Sequence, residues 1–189
     1  MLGVGRALRD GMPDCQVHLC EPSNAPMMKS GIRTHYPKHG YPSTSFDSTH
    51  PVWNPHLFQG WATDFIPKLA HQSKKEKLYD TIEHVKGNDG VWVSRELAQK
   101  EGIFVGISGG GILAATLAFA QTCEPGTTLL AMLTDTGERY MSTALFDNIP
   151  TEMTPEELAL SKTTPGRAPP RPPALSGLLP EDTDDLFDM

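Results

Sequence analysis

Apolar and polar positions change period several times along this chain, and each change marks a predicted element. From Gly3 to Met12, Val4, Ala7 and Leu8 fall on one face at helical spacing, and Pro13-Asp14 closes the run. Cys15 to Leu19, CQVHL, alternates and predicts a strand; Tyr79 to Val85, YDTIEHV, predicts a second. Asp89 to Glu101 predicts a helix closed by Gly102 at the position after its C-cap, where positive φ is tolerated. Ile112 to Gln121, ILAATLAFAQ, is apolar on nearly every side, as a buried helix is. After a Pro125-Gly126 turn, Thr127 to Leu133, TTLLAML, predicts a strand of a sheet covered on both faces. Helix, turn and strand in alternation are the grammar of an α/β fold, expected over residues 1–149.

Two stretches hold no period. Residues 21–58 are rich in Pro, His, Ser, Thr and Asn and predict a long loop, before Gly60 to Leu69, GWATDFIPKL, returns to apolar content. Residues 150–189 carry Pro169-Pro170 and Pro172-Pro173 and end in EDTDDLFDM; they are expected to be disordered, because so little apolar surface does not offset chain entropy.

Composition narrows the function classes. A net charge of -7 gives no gain from a nucleic-acid or anionic-membrane partner. No apolar run approaches the roughly 20 residues that span a bilayer. The start, MLGVGRALRD, has no apolar core of a secretory signal, so a cytoplasmic location with Cys15, Cys20 and Cys123 reduced is expected. His35, His39, His50 and His56 lie in the loop without a zinc-binding spacing, and a solvated histidine-rich loop is the expectation there.

Two segments are candidates for chemistry. Gly106 to Gly111, GISGGG, stands between an apolar stretch and a helix. It is either an anion-binding helix start or a glycine run that lets helices pack closely. Thr134 to Tyr140, TDTGERY, directly follows the predicted strand Thr127 to Leu133. Ligands of open α/β sheets gather beyond the carboxyl ends of strands, and a hydroxyl there can bond a heterocycle nitrogen. An ordinary polar turn with Asp135 as its cap is the alternative.

Four segments, GVGRALRD with VHLCEP, QGWATDFIPKL, LAQKEGIFVGISGG and TDTGERYMSTALFD, resemble the cysteine synthase family of fold-type II pyridoxal-phosphate enzymes. GERYMST followed by LF is the most specific of them. The resemblance covers about residues 2–147. It implies a partial three-layer α/β/α sandwich, the C-terminal part of the large domain of a tryptophan synthase beta-like enzyme. It also implies pyridoxal 5′-phosphate as cofactor, a small amino-acid substrate and a homodimer in full-length members. The family activity is replacement of the acetoxy group of O-acetylserine by sulfide, giving cysteine. By residue match, Thr136 supplies the hydroxyl at the pyridine nitrogen, and Gly60 places backbone beside the cofactor and the bound substrate.

No segment matches the family's aldimine-forming lysine, its asparagine loop or its phosphate loop, so the resemblance assigns no catalytic residue. The chain alone is expected to make no cysteine. A non-catalytic interaction protein, with the acidic tail around Leu186-Phe187 as a docking peptide, is one alternative. Another is a different β-eliminating enzyme of the same fold, such as a serine or threonine dehydratase.

Overall fold

Residues Leu2–Gly11 form the first helix, α1, with Gly5 as its buried residue. Gly5 faces the Leu78 side chain so closely that a Cβ would stand 2.7 Å from it, so this helix face is set by contact rather than by propensity. The computed structural model describes residues 1–34 and 49–163. Two units separate along the chain, Met1–Asn148 and Ile149–Met189.

In the first unit the element order after α1 is β1 (His18–Pro22), α2 (Met27–Ser30), α3 (Lys68–Lys75), β2 (Thr81–Val85), α4 (Gly87–Glu101) and α5 (Ile107–Ala120), then 3-10 turns at Gly137–Tyr140 and Ala144–Phe146. β1 and β2 pair in parallel, His18 opposite Thr81 and Pro22 opposite Val85. α5 lies against both strands and along α4. The parallel pair flanked by helices confirms the expected α/β class. Side-chain clamps close the α1 side: Arg6 pairs with Glu76 at 2.7 Å and Arg9 with Asp80 at 2.9 Å.

Several expectations shift by a few residues. The first strand begins at His18 rather than Cys15 and runs into Glu21 and Pro22, both counted with the loop by composition. The loop is not featureless either. Glu21 is buried and its carboxylate accepts from the Met28 and Lys29 backbone N–H groups, which anchors α2. His84 Nε2 lies 3.1 Å from the same carboxylate. α4 starts two residues early and ends on Gly102 at φ 69°, as expected.

The larger departures are at α5 and beyond. α5 begins at Ile107, so Ser108 to Gly111 belong to its first turns instead of preceding it. The stretch Thr127 to Leu133 is no strand: among the described residues its only ladder contact is a bridge just past its end, antiparallel between Val105 and Thr136. A strand needs a neighbour, and the segment has none here despite its β-branched, apolar make-up.

The core gathers Phe58, Val85, Val91, Ile107, Tyr140 and Leu145, with Trp61 stacked on Phe58 at 4.3 Å. In the second unit, where no persistent structure is expected, Pro155–Ser161 forms α6. Thr154 and Glu157 close its start with a reciprocal capping box. The rest of the tail beyond residue 163, and His35 and His39 of the histidine-rich loop, lie outside the described residues.

Candidate functional site

The glycines of GISGGG are explained by packing. A Cβ on Gly110 would overlap the Ser94 hydroxyl and the Gly90 carbonyl, and one on Gly111 would meet Phe58 at 2.6 Å. α4 and α5 therefore approach at a depth that only glycine permits. Ser94 is itself buried and donates to the Gly90 and Gly106 carbonyls at 2.9 and 3.0 Å, sealing the same contact. Of the two readings of this segment, close helix packing is the one its geometry supports.

At the N-terminal end of α5 the polar groups converge. Gly106 N–H donates to the Asp135 carbonyl at 3.4 Å, and Gly137 N–H to the Phe104 carbonyl at 3.3 Å. These bonds and the Val105–Thr136 bridge lay TDTGERY against the start of the helix. A Cβ on Gly106 would stand 2.5 Å from Asp135 Oδ1, so the carboxylate is seated directly on that glycine. The buried Tyr140 hydroxyl donates to Asp135 Oδ2, and the Ser108 hydroxyl bonds Tyr140 as well. Burial, and then the Asp135 carboxylate, push the Tyr140 phenol above its ordinary range. Asp135 Oδ1 is buried with no hydrogen-bond partner among the described residues.

Thr136 follows this network and is exposed. Its hydroxyl bonds Glu138, whose carboxyl is thereby held below the usual carboxylate range. Gly60 sits beside Ser108: a Cβ there would be 3.6 Å from Ser108 Oγ, an ordinary contact, and Gly60 does not adopt positive φ. Neither packing nor backbone strain demands glycine at 60, in contrast to 106, 110 and 111. Gly60, Ser108, Tyr140 and Asp135 thus form one connected chain of contacts, and Thr136 is the next residue along the backbone. The role of Tyr140 and Ser108 was missed in the sequence, although Tyr140 stands inside the GERY segment that carries the resemblance.

The other sequence candidates do not converge here. His50 is buried with its Nε2 3.1 Å from the Ile32 carbonyl, and His56 Nε2 lies 2.9 Å from the Ala62 carbonyl, so both are built into the loop. Among the described residues no group of three His, Cys, Asp or Glu side chains is placed to hold a metal ion, and no helix is long and apolar enough to cross a membrane. Burial, and then Glu83, push the Cys20 thiol up to about 11, the opposite of an activated nucleophile.

Comparison with known proteins gives the family. An O-ureido-L-serine synthase from Streptomyces lavendulae is 40% identical over 149 residues, 79% of this chain and 39% of that protein. A probable cysteine synthase from Bacillus subtilis is 33% identical over 147 residues, 78% of this chain and 40% of that one. A crystal structure of O-ureido-L-serine synthase superimposes with a TM-score of 0.64 at 38% identity, covering 83% of this chain and 42% of the solved one. The chain spans about two fifths of the length of the curated relatives it matches. The sequence model of the pyridoxal-phosphate dependent enzymes matches residues 1–135, and the chain belongs to that family.

Proposed function

We propose that this chain supplies the ring-facing side of a pyridoxal-phosphate site in an enzyme that replaces the β-substituent of an O-acylated serine. The carrying observation is Gly60: it lies next to Ser108 in the network that ends at Asp135, one residue before Thr136, and nothing among the described residues requires its missing side chain. A bare backbone edge together with an exposed hydroxyl suits a flat heterocycle with a polar nitrogen. The Gly106 to Gly111 run does not suit the phosphate, because its glycines are used up by Ser94, Gly90, Phe58 and Asp135.

Bound pyridoxal phosphate would supply an electron sink for the charge left when the substrate loses its α-proton. The residues of this chain would orient it. The Thr136 hydroxyl would bond the ring nitrogen; being neutral, it leaves that nitrogen largely unprotonated, which tempers the sink and favours β-replacement. Gly60 would leave room for the substrate beside the ring. The polar groups in the network are hydroxyls, a carboxylate and backbone amides. By the family resemblance, proton removal from substrate falls to a lysine, none of the described lysines belongs to this network, and the chain alone is expected to be inactive.

With sulfide as nucleophile the product is cysteine. A second reading, favoured by the 40% identity to the Streptomyces lavendulae protein, is O-ureido-L-serine as product, with hydroxyurea as nucleophile. The test joins this chain to the lysine-bearing portion of that synthase and supplies O-acetylserine with either nucleophile, with mass spectrometry of the product. Thr136→Ala should lower kcat/KM at least about tenfold, the loss of one hydrogen bond made to the reacting system. Unchanged kcat/KM in that variant would remove Thr136 from the site. The unjoined chain, titrated with pyridoxal phosphate and reduced with borohydride, should show no stoichiometric lysine adduct.

A further inference from the structure

Residues 50–56 do not run free, although their composition is that of a loop. The His50 N–H donates to the Asp64 carbonyl at 2.8 Å, and the buried His50 ring faces the Ile32 carbonyl at 3.1 Å. The Asn24 side chain, in the turn after β1, donates to the Pro55 carbonyl at 2.7 Å. Asn54 returns a bond to the Asn24 carbonyl at 3.0 Å. The segment is therefore a strap between the end of β1 and residues 60–64.

Two half-buried rings of the strap meet at one atom. Trp53 Nε1–H donates to the Ala62 carbonyl at 2.9 Å, and His56 Nε2 lies 2.9 Å from the same oxygen. A carbonyl only accepts, so His56 donates from Nε2, and both lone pairs of the oxygen are used. His56 Nδ1 is buried with no partner among the described residues, so the Ala62 bond is the one that fixes this ring. Ala62 itself stands at φ 38°, in the left-handed region that alanine enters only under constraint. Lys77, the other described non-glycine residue at positive φ, follows the C-cap of α3, where left-handed residues commonly end helices. Ala62 ends no helix. Such strain persists where surrounding bonds over-determine it, and it gathers at sites that hold a ligand.

Gly60 stands two residues before Ala62. On its other side the chain is fixed by Phe58, 1% exposed in the core, with Trp61 stacked on it and the Trp61 N–H donating to the Phe58 carbonyl at 3.3 Å. Gly60 is thus held between a core anchor and a strained, doubly bonded carbonyl. Packing alone would be served by an unstrained residue at 62. We propose that Trp53 and His56 are positioning residues for the β-replacement site: they lock the Ala62 carbonyl, and through it they fix the bare backbone of Gly60 against the O-acylated serine. This rests on the reading of Gly60 given above, and the two rings act through Ala62 rather than by touching the substrate.

The bonds are read first, by NMR of isotope-labelled histidine and tryptophan in the full 189-residue chain and in the chain joined to the lysine-bearing portion of the Streptomyces lavendulae synthase. His56 should be the Nε2–H tautomer. The Trp53 indole N–H should exchange at least about tenfold more slowly than that of Trp92, which is 61% exposed. In the joined protein, an Nδ1–H tautomer of His56, or a Trp53 indole exchanging as fast as Trp92, overturns the proposal. Kinetics of the joined protein follow, with O-acetylserine and sulfide. Trp53→Phe and His56→Phe should each raise KM for O-acetylserine at least about threefold, whereas a misfolded fraction lowers kcat alone. His56→Gln keeps a donor at similar reach and should stay within about twofold of the parent. Adding Ala62→Gly to Trp53→Phe should recover part of the loss, since glycine holds that φ without a clamp. Parental KM in both ring variants, or an equal rise with His56→Gln, overturns the proposal. Failure of the site reading looks different: the parent joined protein then makes no product with either nucleophile, and this inference falls with it.

Discussion

Asp135 presents one carboxylate oxygen to the Tyr140 hydroxyl and keeps the other buried without a partner among the described residues. A carboxylate so placed depends on its single donor, since burying an unpaired charged oxygen costs more than a good hydrogen bond returns. Tyr140→Phe should therefore lower the stability of the chain by about 1–3 kcal/mol, read from the urea midpoint. Asp135→Asn, in which the amide can donate where the carboxylate cannot, should cost less than Tyr140→Phe. Gly60→Ala gives the contrasting outcome. Its Cβ would meet only Ser108 at an ordinary distance, so the urea midpoint should stay within about 0.5 kcal/mol of the parent. A drop as large as that of Tyr140→Phe would mean that packing, not a ligand, explains the glycine.

Among the described residues, the α4–α5 contact leaves the least room for an added Cβ. Gly110→Ala should gain helix propensity but force Ser94 and the Gly90 backbone apart, a net loss of about 1–3 kcal/mol by urea denaturation. A stabilised variant would show that the two helices can slide apart freely. A second prediction at this scale concerns the clamps that hold β2 to its neighbours. Glu76 is held at about 2 chiefly by its hydrogen bonds to Arg6, Asp80 below its ordinary range chiefly by Arg9, and Glu83 chiefly by His18. Each carboxyl binds its proton less readily folded than unfolded. The stability it contributes is present above the unfolded value and is lost as pH falls toward the folded one. Tm should decline between about pH 4.5 and 2, and Asp80→Asn should flatten part of that decline. The pairs are largely exposed, so each contributes little by itself.

At the scale of the whole chain, the apolar surface is unevenly spent. Leu130, Met132, Leu117 and Trp92 are all more than half exposed, which is much for a unit of this size. The 189-residue chain alone should bind an apolar fluorescent dye. The double substitution Leu130→Lys with Met132→Lys should reduce that binding while moving the urea midpoint by no more than about 0.5 kcal/mol, because neither side chain is packed. A fall in stability of several kcal/mol would mean that the two residues serve a core of this chain rather than an open edge. In the second unit, α6 rests on its capping box and buries no residue, so its helicity depends on local bonds.

Local physics was legible in the sequence. The helical period marked α1, alternation marked β1 and β2 to within three residues, and Gly102 marked the end of α4 through its positive φ. The family was legible in GERYMST, and with it the α/β class. Three outcomes were decided only by tertiary structure. The glycine run GISGGG has two meanings by composition, and the choice rested on Ser94 and Gly90 standing against it, residues on another helix. Glu21 reads as a loop residue until α2 and His84 are folded onto it. Thr127 to Leu133 has the pattern of a buried strand, yet a strand exists only as one side of a ladder. Alternation can specify which faces a segment offers, because that follows from its own backbone; whether a partner occupies them depends on another stretch of chain.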